Sequence, residues 1–191
     1  FLSPSKEKVY VTSRGKSELY TFGLDQFPYR LKKIILPNCK LAEKIRFSPN
    51  NLDWYLTCRM SEKIIVGEVK TDKIKNIMEF AGSYPHDLVF LPRIKRLLLS
   101  SSASGDLNDA HNFLISIDKI SGNEIQRLPV GNKKGRSAPA PGPMLHVQGF
   151  TPPTVLILNT LGSQLKGLIW DNNISNFKIT NIFDFKSIKA Q

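Results

Sequence analysis

Phe47-Ser48-Pro49, followed after four residues by Trp54-Tyr55-Leu56-Thr57, governs how the rest of this chain is read, because the pattern recurs. Val9-Tyr10-Val11-Thr12 stands five to eight residues after Pro4, Leu97-Leu98-Leu99-Ser100 after Pro92, and Ile157-Leu158-Asn159-Thr160 after Pro152. A Phe precedes the proline by two residues in three copies, as Phe47, Phe90 and Phe150, and Leu2 takes that place in the first. Each group is β-prone and ends in Ser or Thr, and the four align with no gap. Self-similarity of this kind is the signature of a repeat architecture.

The remainder of each copy agrees. A second apolar run follows: Leu19-Tyr20-Thr21-Phe22, Ile64-Ile65-Val66-Gly67, Phe113-Leu114-Ile115-Ser116-Ile117 and Gly167-Leu168-Ile169-Trp170. A turn rich in Asp, Asn or Gly then leads to a last run, at residues 31–36, 74–80, 124–130 and 177–185. Short apolar runs at regular spacing, separated by turn signals, predict an all-β fold. The best helical window, residues 73–80, is β-branched and reads as a strand. Four antiparallel strands per copy make a β-propeller blade. The chain is therefore expected to be one propeller domain, or a piece of one, over residues 1–191, with blades near 1–40, 41–82, 83–142 and 143–188. Inner strands sandwiched between neighbouring blades should be continuously apolar, whereas an outer strand such as Leu31-Lys32-Lys33-Ile34 can carry charge. Each proline suits a tight turn, where its missing donor costs nothing.

These units resemble propeller blades of the YVTN/NHL/WD-repeat type. Tyr84-Pro85-His86-Asp87-Leu88-Val89-Phe90-Leu91-Pro92 is similar to blade openings in that group, and Trp170-Asp171 to the ending of a WD repeat. Within the group, the regucalcin- and gluconolactonase-like enzymes are a relative the resemblance brings in. Three arrangements fit four blades: a four-bladed ring, part of a longer propeller, or a chain completed by a partner. The expectation is a longer propeller, because Phe1 enters at the end of an inner strand.

The third copy is the longest, and its excess falls in two places. Residues 101–112 extend the link between its second and third strands, and residues 131–143 extend the crossing to the next blade. Both connections lie on the same end of an up-and-down blade. Loops held by a rigid scaffold carry function, so this face is the candidate binding surface for a protein partner or a small ligand. His86 and His146 are expected to open successive inner strands there, with His111 in the inserted loop and Asp87 beside them. Lys133, Lys134 and Arg136 form the densest basic cluster. His86, Asp87, His111, His146, Lys133, Lys134 and Arg136 are the candidate ligand-binding residues. Neutral imidazoles with a carboxylate suit a divalent metal, so His86, His146 and Asp87 are the candidate metal ligands. Alternatively, the histidines cap strands and no cofactor is needed.

The 191 residues carry 27 Lys+Arg against 16 Asp+Glu, a net charge of +11. That excess admits binding to nucleic acid or an anionic surface, but the cations are spread over turns and outer strands, as a solvated rim would have them. No apolar run is long enough to span a membrane as a helix. No signal peptide is read in the opening residues. Cys39 and Cys58 either pair or are free thiols. Asn173-Ile174-Ser175 is an N-glycosylation acceptor triplet. Three readings follow: a binding propeller, a metal-dependent lactonase-like propeller hydrolase with its site at the channel mouth, and a nucleic-acid or anionic-surface binder.

Overall fold

The structure, a computed structural model, describes residues 1–25, 27–101, 113–129, 141–148, 152–159, 164–173 and 175–184. Their regular structure is strand throughout, apart from one-turn 3-10 segments at Arg59–Ser61 and Pro92–Ile94. Among the described residues fifteen strands form four antiparallel sheets in chain order, and these are β-propeller blades. The chain divides into two compact units, Phe1–Pro85 and His86–Gln191.

The first unit holds two blades. β1 (Lys8–Ser13), β2 (Glu18–Gly23) and β3 (Lys32–Ile35) form the first. Its fourth-strand position is held by the opening residues: Leu2 bridges Val9, and the Tyr10 N–H donates to the Phe1 carbonyl at 2.7 Å. β4 (Ala42–Phe47), β5 (Asp53–Cys58), β6 (Lys63–Glu68) and β7 (Ile74–Glu79) form the second. One core lies between these two sheets, built from Tyr10, Leu19, Ile34 and Leu36 against Ile45, Trp54, Leu56 and Ile65. Cys39 and Cys58 are bonded within it, resolving the alternatives the sequence left open.

The second unit holds β8 (Pro85–Leu91), β9 (Arg96–Ser101), β10 (Phe113–Asp118) and β11 (Glu124–Pro129) as one blade, with β8 starting at the unit boundary. β12 (Pro141–Val147), β13 (Thr154–Asn159), β14 (Gln164–Asp171) and β15 (Asn176–Asp184) form the other. Their shared core sets Val89, Leu91, Leu98 and Leu114 against Met144, Val155, Ile157, Leu168 and Trp170. The strand character follows the expected gradient. β5, β6, β9 and β10 are buried along both faces, whereas β3 and β11 are mostly exposed. A strand with two covered faces has no polar side and reads as a continuous apolar run.

The Ser/Thr column has a physical reason. In the second blade the register breaks between Ala42 and Ile45, leaving Thr57 opposite the bulge. The Lys44 N–H donates to Thr57 Oγ1 at 3.0 Å, so the hydroxyl replaces a missing ladder partner. In the third blade Ser100 does the same for Asp87, accepting its N–H at 3.1 Å and donating to its carbonyl at 3.2 Å. Buried backbone groups must be paired.

The fourth copy corrects the gapless alignment. β1, β5 and β9 each begin four residues after their proline, but β13 begins two after Pro152. The bulge of β12 lies between Pro141 and Met144, opposite Leu158. Pro143 occupies the place of Lys44 and Asp87 and has no N–H to satisfy, so Leu158 can stand where the other copies need a hydroxyl. The last blade also starts slightly earlier than the expected residue 143, since Pro141 already belongs to β12.

Candidate functional site

Both insertions of the third copy spring from one end of its sheet. Phe113 pairs with Ser101 on one side and with Pro129 on the other, so the chain leaves for residues 102–112 and 130–140 from adjacent strand ends. Arg127 places its guanidinium over the Phe113 ring at 4.3 Å, bracing that end. His86 and Asp87 belong to it too, because Asp87 is bonded to Ser100, next to Ser101. His111, Lys133, Lys134 and Arg136 lie outside the described residues, as do the insertions.

Asp87 is fully buried, and both its oxygens accept backbone hydrogens. Oδ1 takes the Leu88 N–H at 2.9 Å, and Oδ2 takes the Met144 N–H at 3.2 Å. The second bond ties β8 to β12, so this carboxylate fastens two blades. His86 is the second residue of the seven in β8, half-buried. His146 is the sixth of the seven in β12 and does not open its strand. The bulge frame aligns it with Phe90 and Phe47, near the turn end, and the alignment on Pro152 had placed it too early in its strand. Burial holds its imidazole below the usual value, helped by Arg93 in the β8–β9 turn. Among the described residues no group of three or more His, Cys, Asp or Glu is placed to hold a metal ion, and His86, Asp87 and His146 do not converge as one.

Sequence reasoning passed over two features. Lys166, on β14 in register with Ile157, is buried, and burial pushes its ammonium below the ordinary lysine range. A buried lysine had no local signal: Leu165-Lys166-Gly167 reads as the alternation of a half-exposed strand.

The other is a cavity of about 380 Å³ in the first unit, at the opposite end of its blades from the crossings. Ser5, Glu7 and Lys8 come to it from the first blade; Asn51, Leu52, Val69 and Lys70 come from the turns of the second, and Glu68 and Lys75 from the adjoining ends of β6 and β7. Its wall is braced by ion pairs. Lys8 Nζ lies 3.0 Å from Asp72 Oδ1 and donates to the Val69 carbonyl at 2.7 Å, while Lys75 pairs with Asp53 at 2.7 Å. Asp72 is almost fully buried and also accepts from Tyr10 Oη at 3.1 Å and Lys32 Nζ at 3.1 Å. Burial, then the Asp72 charge, raises the Tyr10 phenol well above its ordinary value. Lys70 differs: among the described residues its ammonium has no hydrogen-bond partner. The cavity thus offers one free cation, two carboxylates and the exposed side chain of Leu52. The one signal in the sequence was the charged turn Glu68-Val69-Lys70-Thr71-Asp72-Lys73, which matches its counterparts in being polar and so did not stand out.

Comparison with known proteins agrees with the fold. No protein-family model matches the chain, and no curated protein does. Among solved structures it is similar to the periplasmic gluconolactonase of Pseudomonas aeruginosa, at 17% identity and a TM-score of 0.71, covering 96% of this chain and 52% of that one. Virginiamycin B lyase of Staphylococcus aureus follows at 16% identity and 0.67, covering 95% and 54%. Hydrazine synthase of Kuenenia stuttgartiensis follows at 14% and 0.69, covering 95% and 52%. The chain spans about half the length of the solved structures it matches. The likeness defines the fold class, the β-propeller. No helix among the described residues is long and apolar enough to cross a membrane.

Proposed function

We propose that this protein is a binding propeller that takes a small polar ligand bearing an anionic group, in the cavity of its first unit. The observation that carries the reading is the contrast between Lys8 and Lys75, both locked in ion pairs, and Lys70, whose charge is unspent at the rim of the same cavity. A charge-assisted hydrogen bond from such a lysine contributes about 1.5–3 kcal/mol. Glu7 and Glu68 would accept from ligand hydroxyls, and Leu52 would cover an apolar edge. A sugar acid has this chemistry, and the fold's likeness to a gluconolactonase supports trying one. The insertion-bearing end, near His86, is then a second surface, suited to a protein partner.

D-gluconate is the probe, with neutral glucose as control, read by calorimetry. We expect gluconate to bind and Lys70→Ala to weaken it about tenfold, equivalent to about 1.4 kcal/mol, without lowering the melting temperature. Equal binding of glucose and gluconate, or an unchanged constant in the lysine variant, would refute the reading.

The rival is a lactonase-like hydrolase, which the similarity to the gluconolactonase supports. Its metal would need ligands other than the trio His86, Asp87 and His146, which do not come together. Turnover of glucono-lactone above the uncatalysed rate, lost in chelator together with a stoichiometric metal, would establish it in place of simple binding.

A further inference from the structure

We propose that this protein matures in an oxidising secretory compartment and carries an N-linked glycan on Asn173. Two independent observations meet here. The first is chemical: the chain has two cysteines, and both are consumed in the Cys39–Cys58 bond inside the core of the first unit. Structural disulfides persist where the surroundings are oxidising and are rare where thiol buffers keep cysteines reduced.

The second is geometric. Asn173-Ile174-Ser175 is the chain's single acceptor triplet, and Asn173 and Ser175 lie in the turn between β14 and β15. Asn173 and Ser175 are both exposed. The turn is held from below: Asp171 Oδ1 accepts the Asn173 N–H at 2.9 Å, while Asp171 Oδ2 pairs with Lys178 at 2.6 Å. Ser175 sits at φ 50°, the place Gly122 fills at φ 75° in the third blade. Among the described residues the Asn173 carboxamide has no hydrogen-bond partner. The turn therefore leaves the acceptor side chain to solvent, where a bulky glycan displaces no packed atoms. The partner in the reaction is an oligosaccharide carried on a lipid pyrophosphate. The Asn173 amide nitrogen forms a bond to the anomeric carbon of the first sugar. The bond from that carbon to the pyrophosphate oxygen breaks, its electron pair leaves with the phosphate, and the nitrogen gives up one proton to a base.

The test uses the protein isolated from its natural source. Trypsin releases residues 167–178, bounded by Lys166 and Lys178, and the mass of that peptide is read before and after peptide N-glycosidase. We expect a hexosamine-containing adduct that the glycosidase removes, converting Asn173 to Asp, with the Cys39 and Cys58 peptides joined until reduced. In a second arm, the chain is secreted from eukaryotic cells. Asn173→Gln and Ser175→Gly should each run at the deglycosylated position, and Ser175→Gly keeps the backbone unstrained because glycine tolerates positive φ. An unmodified 167–178 peptide overturns the glycan, and cysteines that alkylate without prior reduction overturn the compartment. Neither result bears on ligand binding at Lys70.

Discussion

Asp72 does in the second blade what glycine does in the third, and something more. Its N–H donates to the Glu68 carbonyl at 2.9 Å at φ 60°, as the Gly122 N–H does to the Asp118 carbonyl at 2.9 Å and φ 75°. The turn needs only a residue that tolerates the left-handed region. The carboxylate is spent on Lys8, Tyr10 and Lys32 of the neighbouring blade. Asp72→Gly keeps the turn and loses those bonds, so we expect a stability loss of about 2–3 kcal/mol in urea titrations. Asp72→Ala adds left-handed strain and should cost about 1 kcal/mol more. His146 gives a pH signature. Its folded-state pKa is depressed, so its contribution to stability is present above the ordinary imidazole value and lost as pH falls through the folded one. His146→Phe, which restores the residue found at positions 47 and 90, should flatten the stability profile below about pH 6.5. A variant profile as steep as the parent's would contradict that assignment. Asp72 was legible as a turn residue, but its partners lie far away in sequence and left no trace nearby.

At the scale of the strand, a single pair sets the shape of the second blade. Trp54 on β5 lies opposite Gly67 on β6, and a Cβ on Gly67 would stand 2.0 Å from the indole ring. Gly67 therefore makes room for the largest buried side chain of the first unit. Overpacking a well-filled core costs about 1–3 kcal/mol, and Gly67→Ala is expected at the upper end. Denaturant midpoints of the single and the paired Gly67→Ala/Trp54→Phe variants check this; no rescue in the pair would refute the packing argument. The period of the repeat was readable because every inner strand repeats the same burial on both faces. The frame of the fourth copy was not, because Pro143 removes the N–H that makes the hydroxyl necessary and so releases the column that guided the alignment.

Over the whole chain the net charge of +11 survives ion pairing, because each pair removes one cation and one anion together. Arg14, Lys33, Lys63, Arg96, Arg127 and Lys178 all face carboxylates within 3.4 Å. The remaining excess is spread over turns and outer strands with carboxylates interspersed, so mixed-sequence duplex DNA is expected to bind only at low salt and to be undetectable near 0.15 M ionic strength. Retention at that salt, measured by fluorescence anisotropy, would return the nucleic-acid reading to the front.

Composition and repetition were enough to establish an all-β chain of four propeller blades, since a strand covered on both faces must be apolar and each turn must punctuate it. Tertiary structure alone decided which polar groups are spent. Asp87, proposed from sequence as a ligand, has both oxygens on backbone hydrogens, while Lys70, which no pattern marked, lines a cavity with no hydrogen-bond partner among the described residues. The periodicity of burial is written locally, residue by residue. The pairing of charges depends on which turns meet across blades, and only the folded chain brings those together.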